Sequence, residues 1–190
     1  QLETAWRAGQ QAIGYLAYEA ASALDPALRT HAPVPGLPLL WFAVADQLDP
    51  LPPPLPGTLP PGAISDWLPE LDEATYCTQA ERLQALIRDG ATYQVNFTFP
   101  LRARTHLPPA QLYAALAQAQ PAPGRAFLDL GDWQILSLSP ELFFARQGRT
   151  MLTRPMKGTR PRGRWPAEDQ ARAAELAASP KESAENIMIV

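Results

Sequence analysis

Apolar and polar residues alternate through much of the second half of the chain, in the pattern that is typical of short strands. In the stretch YQVNFTFPLRART (93–105), positions 93, 95, 97 and 99 are aromatic or apolar and the positions between them are polar. This predicts a strand with one polar face. Four further strands are predicted in RAFLDL, WQILSLS, LFFARQ and TMLTRP. The pairs Gly131-Asp132 and Gln147-Gly148 supply hairpin turns between them.

Helical periodicity appears on either side of these strands. Four helices are predicted, and they begin at Asp72, Pro109, Pro166 and Ser179. The first has its apolar residues on one face and ends at Gly90. The third carries Glu168 and Asp169 in its first turn, where acidic residues are favourable. In the fourth, Pro180 takes the first helical position and Glu182 completes a capping box with Ser179.

A proline-rich stretch divides the chain. Before it, QAIGYLAY (11–18) predicts a buried strand or a strand–helix junction, and PLLWFAVA (38–45) predicts a buried strand. The segment PLPPPLPGTLPPG (50–62) contains seven prolines, which excludes a helix or a central strand. We therefore divide the chain into an N-terminal region (1–49), a linker (50–71) and a main domain (72–190). Hairpins with helices between them predict an α+β fold, in which antiparallel sheets are packed with helices.

Composition narrows the class of protein. Hydrophobic residues make up 46% of the 190 residues and the formal net charge is -3, so a packed core is expected and a surface built for nucleic acid or anionic membrane is not. One cysteine, Cys77, excludes an internal disulfide, and two histidines cannot form a Cys/His zinc site. No apolar run approaches the roughly 20 residues of a membrane span. We expect a soluble, cytoplasmic protein.

The two ends favour a piece of a longer protein. The chain starts at Gln1, without a methionine, and finishes in the apolar run NIMIV with no helix stop after it. We therefore expect a fold that is truncated at its C-terminus, with unpaired strand edges and exposed apolar surface. The 190 residues alone are expected to be inactive and poorly folded.

Four clusters of polar residues could carry chemistry, and each also has an ordinary structural explanation. The clusters are Gln94 with Asn96, Ser137 and Ser139 with Glu141, Lys157 with Gly158 and Thr159, and Glu182 with Glu185. Glu141 could simply face water at a strand end, and Glu182 is already explained by the capping box. The basic stretch 154–164 could be a solvated loop or a nucleic-acid patch. Glu182 and Glu185 share a helix face because they are three residues apart.

The strings that contain these clusters resemble the chorismate-utilising enzymes, a family that includes aminodeoxychorismate, anthranilate, isochorismate and salicylate synthases. The matching strings are DGATYQVNFT, ILSLSPELFF, TRPMKGTRPRG and SPKESAENIMIV, in the order of the family. They cover roughly 120 residues, so by this resemblance 72–190 is the N-terminal portion of the chorismate-binding catalytic domain. The N-terminal region matches only loosely, through QAIGYLAYE and the PLLWFAVAD strand.

Two positions indicate a branch within that family. Anthranilate synthases typically have alanine where this chain has Lys157, and bacterial aminodeoxychorismate synthases have lysine. Isochorismate and salicylate synthases place a lysine base where this chain has Gln94, and a neutral amide cannot act as that base. The resemblance therefore implies aminodeoxychorismate synthase component I, which aminates chorismate at C4 on the route to p-aminobenzoate and folate. Anthranilate synthase component I, and a non-catalytic fragment that binds chorismate or nucleic acid, remain as alternatives.

The resemblance also implies roles for individual residues. Glu141 would protonate the departing C4 hydroxyl, which requires a pocket that keeps its carboxyl protonated near neutral pH. Lys157 would add to the substrate as the free amine, a form that burial or neighbouring cations such as Arg154 and Arg160 would favour. Those cations would also attract the dianionic substrate.

Substrate and metal ligands follow from the same resemblance. Gly158 and Thr159 map to a turn that binds a substrate carboxylate, with Arg154 and Gln94 as further contacts. Glu185 maps to a ligand of Mg²⁺, a cation that prefers oxygen and keeps several waters. Glu182 would belong to the metal site as an outer contact that does not bind the ion directly, although its capping role alone could explain it.

The family's pattern also continues beyond the last residue of this chain. Its glycine-rich GAPK-type segment and a late arginine and glutamate, which complete the site, are not present in the 190 residues. The family usually takes its ammonia from a separate glutamine amidotransferase subunit, so such a glutaminase is the expected partner. Free ammonia is the alternative donor.

Overall fold

The computed structural model describes residues 2–49 and 57–189, and it combines helices with antiparallel strands. The helices are α1 (Leu2–Arg7), α2 (Ala21–Leu24), α3 (Glu73–Arg88), α4 (Pro109–Ala119), α5 (Pro166–Ala178) and α6 (Pro180–Ile189). The strands are β1 (Gln11–Leu16), β2 (Leu40–Ala45), β3 (Leu68–Pro69), β4 (Leu101–Arg102), β5 (Gly124–Asp129), β6 (Gln134–Ser139), β7 (Leu142–Gln147) and β8 (Thr150–Arg154). The predicted α+β class is confirmed.

The described strands pair as four separate two-stranded antiparallel ladders, β1 with β2, β3 with β4, β5 with β6 and β7 with β8. The β5–β6 ladder runs in unbroken register from Gly124 opposite Ser139 to Asp129 opposite Gln134. The β7–β8 ladder has an irregularity between Leu142 and Ala145, which is the usual effect of a bulge. The two predicted hairpins therefore form where their turn residues indicated.

The strands of the first third are formed, but the prediction that they are buried is wrong. In β1 and β2 the apolar side chains of Ile13, Leu16, Leu40 and Val44 are all exposed. This ladder has two strands, and α1 packs against β1. A two-stranded ladder with so little covering it cannot bury both faces.

The predicted strand over 93–105 forms only at its C-terminal end. Residues 91–100 have no regular structure, whereas β4 pairs with β3 and Thr105 forms an isolated bridge with Ile64. The alternating aromatic residues pack against a helix instead, because the ring of Tyr76 on α3 lies 5.4 Å from Phe97 and 5.8 Å from Phe99. An alternating pattern shows only that one side of the segment is apolar. Here a helix covers that side, so the segment needs no hydrogen-bonded partner strand.

The helices begin where the sequence predicts. Asp72 caps α3 by accepting a hydrogen bond from the N–H of Thr75 at 2.7 Å. This bond lowers the pKa of Asp72. Pro109 and Pro166 occupy the first turns of α4 and α5. Among the residues 2–49 and 57–189, no helix combines the length and apolar composition that a membrane crossing requires.

The best-packed part of the described chain lies between α4 and the β5–β6 ladder. Ala114, Ala115 and Ala117 on α4 are buried, and Tyr113 stacks beside Phe127 of β5 at 5.6 Å. Every buried hydrophobic residue among those described is an alanine, and the larger apolar side chains are partly covered or exposed. The part of the predicted linker that is described, 57–71, is irregular apart from β3; residues 50–56 lie outside the described residues.

Candidate active site

The β7–β8 hairpin brings two of the predicted catalytic residues to neighbouring positions. Glu141 directly precedes β7, and Lys157 follows the end of β8 at Arg154. The Oε1 atom of Glu141 accepts a hydrogen bond from the backbone N–H of Met156 at 2.9 Å. The carboxylate of Glu141 therefore binds the backbone one residue before Lys157.

The backbone of Glu141 is held by two contacts with the hydroxyl of Ser139. The hydroxyl of Ser139 donates to the carbonyl of Glu141 at 3.2 Å, and the N–H of Glu141 lies 3.3 Å from the same hydroxyl. The side chain of Glu141 is exposed, whereas Lys157 is half-buried. The described residues thus place the Glu141 carboxylate beside the backbone next to Lys157. They do not enclose Glu141 in the pocket that the resemblance implies.

The arginines after Lys157 are paired with carboxylates of α5 and α6. Arg162 makes a two-pronged ion pair with Asp169, with nitrogen–oxygen distances of 2.7 and 2.6 Å. The N–H of Gly163 donates to the same carboxylate at 2.8 Å. Together these donors, Arg162 first, lower the pKa of Asp169 to about 2.

Glu168 holds the same segment one residue earlier on α5. It accepts from the N–H of Arg164 at 2.7 Å and from the guanidinium of Arg172 at 2.7 Å, and the pKa of Glu168 is lowered, chiefly by the bond from Arg164. Arg172 also donates to the carbonyls of Pro161 and Arg162. Residues 161–164 are therefore fixed on the first turns of α5, and their arginines do not form the open cationic surface that a nucleic-acid patch requires.

Arg160 connects the turn at Lys157 to both of the last helices. Its Nη1 lies 3.5 Å from Oε1 of Glu182 on α6, and its Nε lies 3.5 Å from Oε1 of Glu175 on α5. The Nη1 atom also donates to the carbonyl of Thr159 at 3.0 Å. Two carboxylates therefore compensate the charge of Arg160, the residue that the resemblance offers as a cation favouring the free amine of Lys157.

A cavity of about 340 Å³ opens beside Lys157. Its lining consists of Lys157 with residues from the last two helices, namely Leu176, Ala177, Glu182, Ser183, Asn186 and Ile187. A space of this size is at the lower end of small-molecule sites. Lys157 and Glu182 thus share one concave surface; Glu141, Gln94, Arg154 and Glu185 do not line it.

The two acidic residues of α6 have different surroundings. The carboxylate of Glu182 is turned toward Arg160 and Gly158, whereas Glu185 is 3.9 Å from Lys181 and about one-third exposed. Ser179 caps α6 through its hydroxyl and the N–H of Glu182 at 3.4 Å. The return bond of the predicted capping box is not made, because the N–H of Ser179 bonds to the carbonyl of Leu176.

These surroundings test the fit of a magnesium ion. Within the described residues, no cluster of three or more acidic or histidine side chains is arranged to hold a metal. Glu185 offers carboxylate oxygen, the donor that Mg²⁺ prefers, and Mg²⁺ needs few protein ligands because it keeps waters. The two carboxylates therefore fit a site in which Glu185 binds Mg²⁺ directly and Glu182 does not, because Arg160 already neutralises Glu182.

The other predicted contacts of the substrate lie in different parts of the chain. Gly158 has a φ of +74° and forms the turn beside Lys157, and Thr159 is exposed next to it. Arg154 is exposed at the end of β8, opposite Leu142 in the ladder, and no ion pair is found for it within residues 2–49 and 57–189. Gln94 is half-buried in the irregular segment, where its amide lies 3.5 Å from that of Asn96.

Comparison with known proteins agrees with the strings described above. The family described as chorismate binding enzyme matches residues 1–190. An aminodeoxychorismate synthase from Streptomyces griseus is 46% identical over 121 residues, which is 63% of this chain and 17% of that protein. An anthranilate synthase component 1 from Haloarcula marismortui is 36% identical over 121 residues, which is 64% of this chain and 24% of that protein.

A solved structure resembles the fold over almost the whole chain. Anthranilate synthase component I from Streptococcus pneumoniae superposes with a TM-score of 0.75 at 21% identity, over 95% of this chain and 48% of that one. At this identity the likeness concerns the fold alone. The chain thus spans a quarter or less of the two sequence relatives and about half of the structural one.

Proposed function

The chain belongs to the chorismate-binding enzyme family, and we propose that the whole protein is an aminodeoxychorismate synthase component I. It would convert chorismate and ammonia to 4-amino-4-deoxychorismate, the precursor of p-aminobenzoate and folate. The observation that carries the proposal is the hydrogen bond from the N–H of Met156 to Glu141. It ties the proposed acid to the residue next to the proposed nucleophile, Lys157.

The proposed reaction has two displacement steps. Lys157 adds through its amine at C2 of chorismate, both ring double bonds shift, and Glu141 transfers a proton to the C4 hydroxyl, which leaves as water. Ammonia then attacks C4, both double bonds shift back, and the lysine amine leaves C2. The proton released by the incoming ammonia compensates the one that Glu141 gave, so atoms and charge balance.

The remaining residues of the turn bind and orient the substrate in this proposal. Chorismate carries two carboxylates, and Arg154 is an exposed cation at the end of β8, opposite Leu142, the residue that follows Glu141. Gly158 and Thr159 supply backbone N–H and hydroxyl donors to a carboxylate, as turns with glycine at positive φ can. Gln94 is kept as a neutral polar contact.

Magnesium is part of the proposal through Glu185. When bound, Mg²⁺ would neutralise one carboxylate of chorismate and fix its position. Glu185 is the protein oxygen that would hold it, with waters and the substrate completing the shell. Glu182 is proposed to lie close to the ion without binding it directly.

The ammonia is proposed to come from a glutamine amidotransferase partner. The one cysteine of the chain, Cys77, is exposed on α3, so we assign glutamine hydrolysis to a separate subunit and keep free ammonia as the alternative donor. The expectation of a cytoplasmic protein stays a prediction.

The test is an incubation of the whole protein with chorismate, Mg²⁺ and ammonium chloride. We expect chorismate to be consumed and 4-amino-4-deoxychorismate to accumulate, identified by mass and by conversion to p-aminobenzoate after a lyase is added. Fluorescent anthranilate formed without a lyase would contradict the proposal.

Anthranilate synthase component I is the second candidate. It is favoured by the relative from Haloarcula marismortui. Lys157 argues against it, because this position typically holds alanine in that branch. The same incubation distinguishes the two products.

A further inference from the structure

The contact between Gly158 and Glu182 fixes how the turn at Lys157 sits on α6. Gly158 has a φ of +74°, and a Cβ atom added there would lie 2.6 Å from Oε2 of Glu182 and 3.0 Å from its Cβ. The backbone of Gly158 therefore touches the side chain of Glu182 with no room between them. The cavity beside Lys157 has Glu182 in its wall, so any movement of this contact changes the cavity.

Arg160 compensates the charge of Glu182 at this contact. The side chain of Glu182 is 16% exposed and that of Arg160 is 32% exposed, so neither is a freely solvated group. A fully exposed ion pair contributes little to stability, but a partly buried carboxylate that loses its partner is left uncompensated. Removing Arg160 would leave such a carboxylate against the turn that carries Lys157.

Arg160 also bridges three pieces of structure. Its guanidinium reaches Glu175 on α5, Glu182 on α6 and the carbonyl of Thr159 in its own turn. A planar guanidinium with several fixed donors can span these acceptors, whereas a lysine ammonium presents a single point charge.

We propose that Arg160 is a positioning residue, which acts through Glu182 to hold the Lys157 turn on α6. This inference rests on the proposed function only for its effect on catalysis, since the contacts themselves do not depend on the reaction. Arg160 does not touch substrate in this account. Its role is to keep the amine of Lys157 at a fixed place in the cavity.

The experiment compares four variants of the whole protein: Arg160→Ala, Arg160→Lys, Glu175→Gln and Arg164→Ala. Arg164 is the matched control, because its side chain pairs with Glu168 and is 76% exposed, and its backbone bond to Glu168 survives the change to alanine. Two readouts are taken under conditions where circular dichroism shows equal folding. They are kcat and KM with chorismate and ammonia, and labelling of Lys157 by an amine reagent, normalised to Lys181.

For Arg160→Ala we expect kcat to fall by about 100-fold, since a displacement of about 1 Å can cost that much. KM should change little, because Arg160 does not contact chorismate. Labelling of Lys157 should rise several-fold relative to Lys181, because the turn is released from α6. In Arg160→Lys, kcat and the labelling ratio should lie between those of Arg160→Ala and the wild type. Glu175→Gln should change both less than Arg160→Ala does, and Arg164→Ala should match the wild type.

Wild-type kcat and labelling in Arg160→Ala would overturn the inference. If that variant does not fold, wild-type values in both Arg160→Lys and Glu175→Gln overturn it, and intermediate values support it. If the wild-type protein does not aminate chorismate at all, the proposed function fails. The labelling ratio then still decides whether Arg160 positions Lys157.

Discussion

Asp169 is the carboxyl with the most strongly lowered pKa in the described part of the chain, at about 2. An aspartate whose pKa is lower in the folded than in the unfolded protein stabilises the fold fully above its unfolded pKa. That contribution is lost as the pH falls through the folded pKa. The stabilisation from attaching residues 162–163 to α5 is therefore expected to be complete above about pH 3.9 and to be lost progressively as the pH falls to about 2.

We predict that carboxyl NMR of the whole protein, labelled with ¹³C at aspartate, gives Asp169 a titration midpoint near 2. In Arg162→Ala the midpoint should rise toward the usual value of about 3.9, because the largest cause of the lowering is removed. Arg164→Ala serves as the control and should leave it unchanged. A wild-type midpoint near 4 would show that this ion pair is not formed.

Gly158 combines a left-handed backbone with a close neighbour, so its replacement should be costly. Alanine in the left-handed region costs roughly 1–2 kcal/mol, and at position 158 the added methyl would also collide with Glu182. We predict that Gly158→Ala lowers the free energy of unfolding by more than that range and reduces kcat. Denaturant unfolding and steady-state kinetics measure the two effects.

Gly62→Ala is the matched control, because Gly62 has a φ of +75° and no atom within 4 Å of an added Cβ. Gly62→Ala should lower the free energy of unfolding only by the cost of placing alanine in the left-handed region, and it should keep full activity. Equal losses of stability in the two variants would mean that the contact with Glu182 is absent.

At the residue scale, the sequence identifies candidate catalytic residues better than it predicts which residues they contact. The motif around Lys157 identifies the nucleophile candidate and Glu141 by resemblance, and the structure brings them to neighbouring positions. The roles of Arg160, Arg162 and Asp169 as ties between the turn and the helices were not predicted. The sequence pattern that could have indicated these ion pairs is a run of basic residues ahead of an acidic first helical turn. Which residues pair depends on how the loop folds back onto α5.

Elements with local signals were predicted well, including the two hairpins whose turns join neighbouring strands. A strand with no turn to fix its partner was predicted less well. Prolines, capping residues and glycine stops fix helix ends within a few residues, as at Asp72 and Gly90. The predicted strand did not form over 93–100, because alternation cannot say whether another strand or a helix covers the apolar side. In the structure, α3 covers it.

The aromatic cluster of α3 and the irregular segment gives a prediction at the scale of elements. Phe97 stacks on Tyr76 with ring planes 16° apart, and such pairs contribute about 0.5–1.5 kcal/mol beyond the area they bury. We predict that Phe97→Leu lowers the free energy of unfolding by about 1 kcal/mol, on the basis of this pair contribution, as measured by denaturant unfolding of the whole protein.

Tyr93→Leu in the same segment is the control, because Tyr93 is 77% exposed. It should change the free energy of unfolding by less than half as much. A larger loss from Tyr93→Leu than from Phe97→Leu would contradict the packing of this segment on α3.

The exposed area of the whole chain is large for its mass. The 190 residues expose 15633 Å², whereas a compact monomer of 20.8 kDa is expected to expose roughly 9,000 Å². Large apolar side chains such as Trp6, Phe143 and Ile187 are more than 70% exposed. These faces are of the kind that further structure covers.

We predict that the 190-residue chain produced alone binds the dye ANS and unfolds over a broad temperature range without catalysing amination. Exposed apolar faces bind the dye, and the small packed region between α4 and β5–β6 supports little cooperativity. Calorimetry and ANS fluorescence measure both, with the whole protein as the control. A sharp transition without ANS binding would show that the chain folds independently.

The central claim is that the amine of Lys157 reacts with chorismate, and two substitutions of this residue in the whole protein test it most directly. Lys157→Ala removes the amine, and Lys157→Arg keeps a positive charge but no usable nucleophile. The control is Arg149→Ala, because Arg149 is an exposed cation in the turn of the β7–β8 hairpin. Each protein is given chorismate, Mg²⁺ and ammonium chloride, and 4-amino-4-deoxychorismate is quantified by mass spectrometry.

We expect both Lys157 variants to lose C4 amination by at least about 1,000-fold, a loss of the size caused by removing a catalytic nucleophile, while Arg149→Ala retains wild-type activity. Wild-type C4 amination by Lys157→Arg would reduce Lys157 to a charge that binds substrate. Wild-type C4 amination by Lys157→Ala would contradict the account altogether.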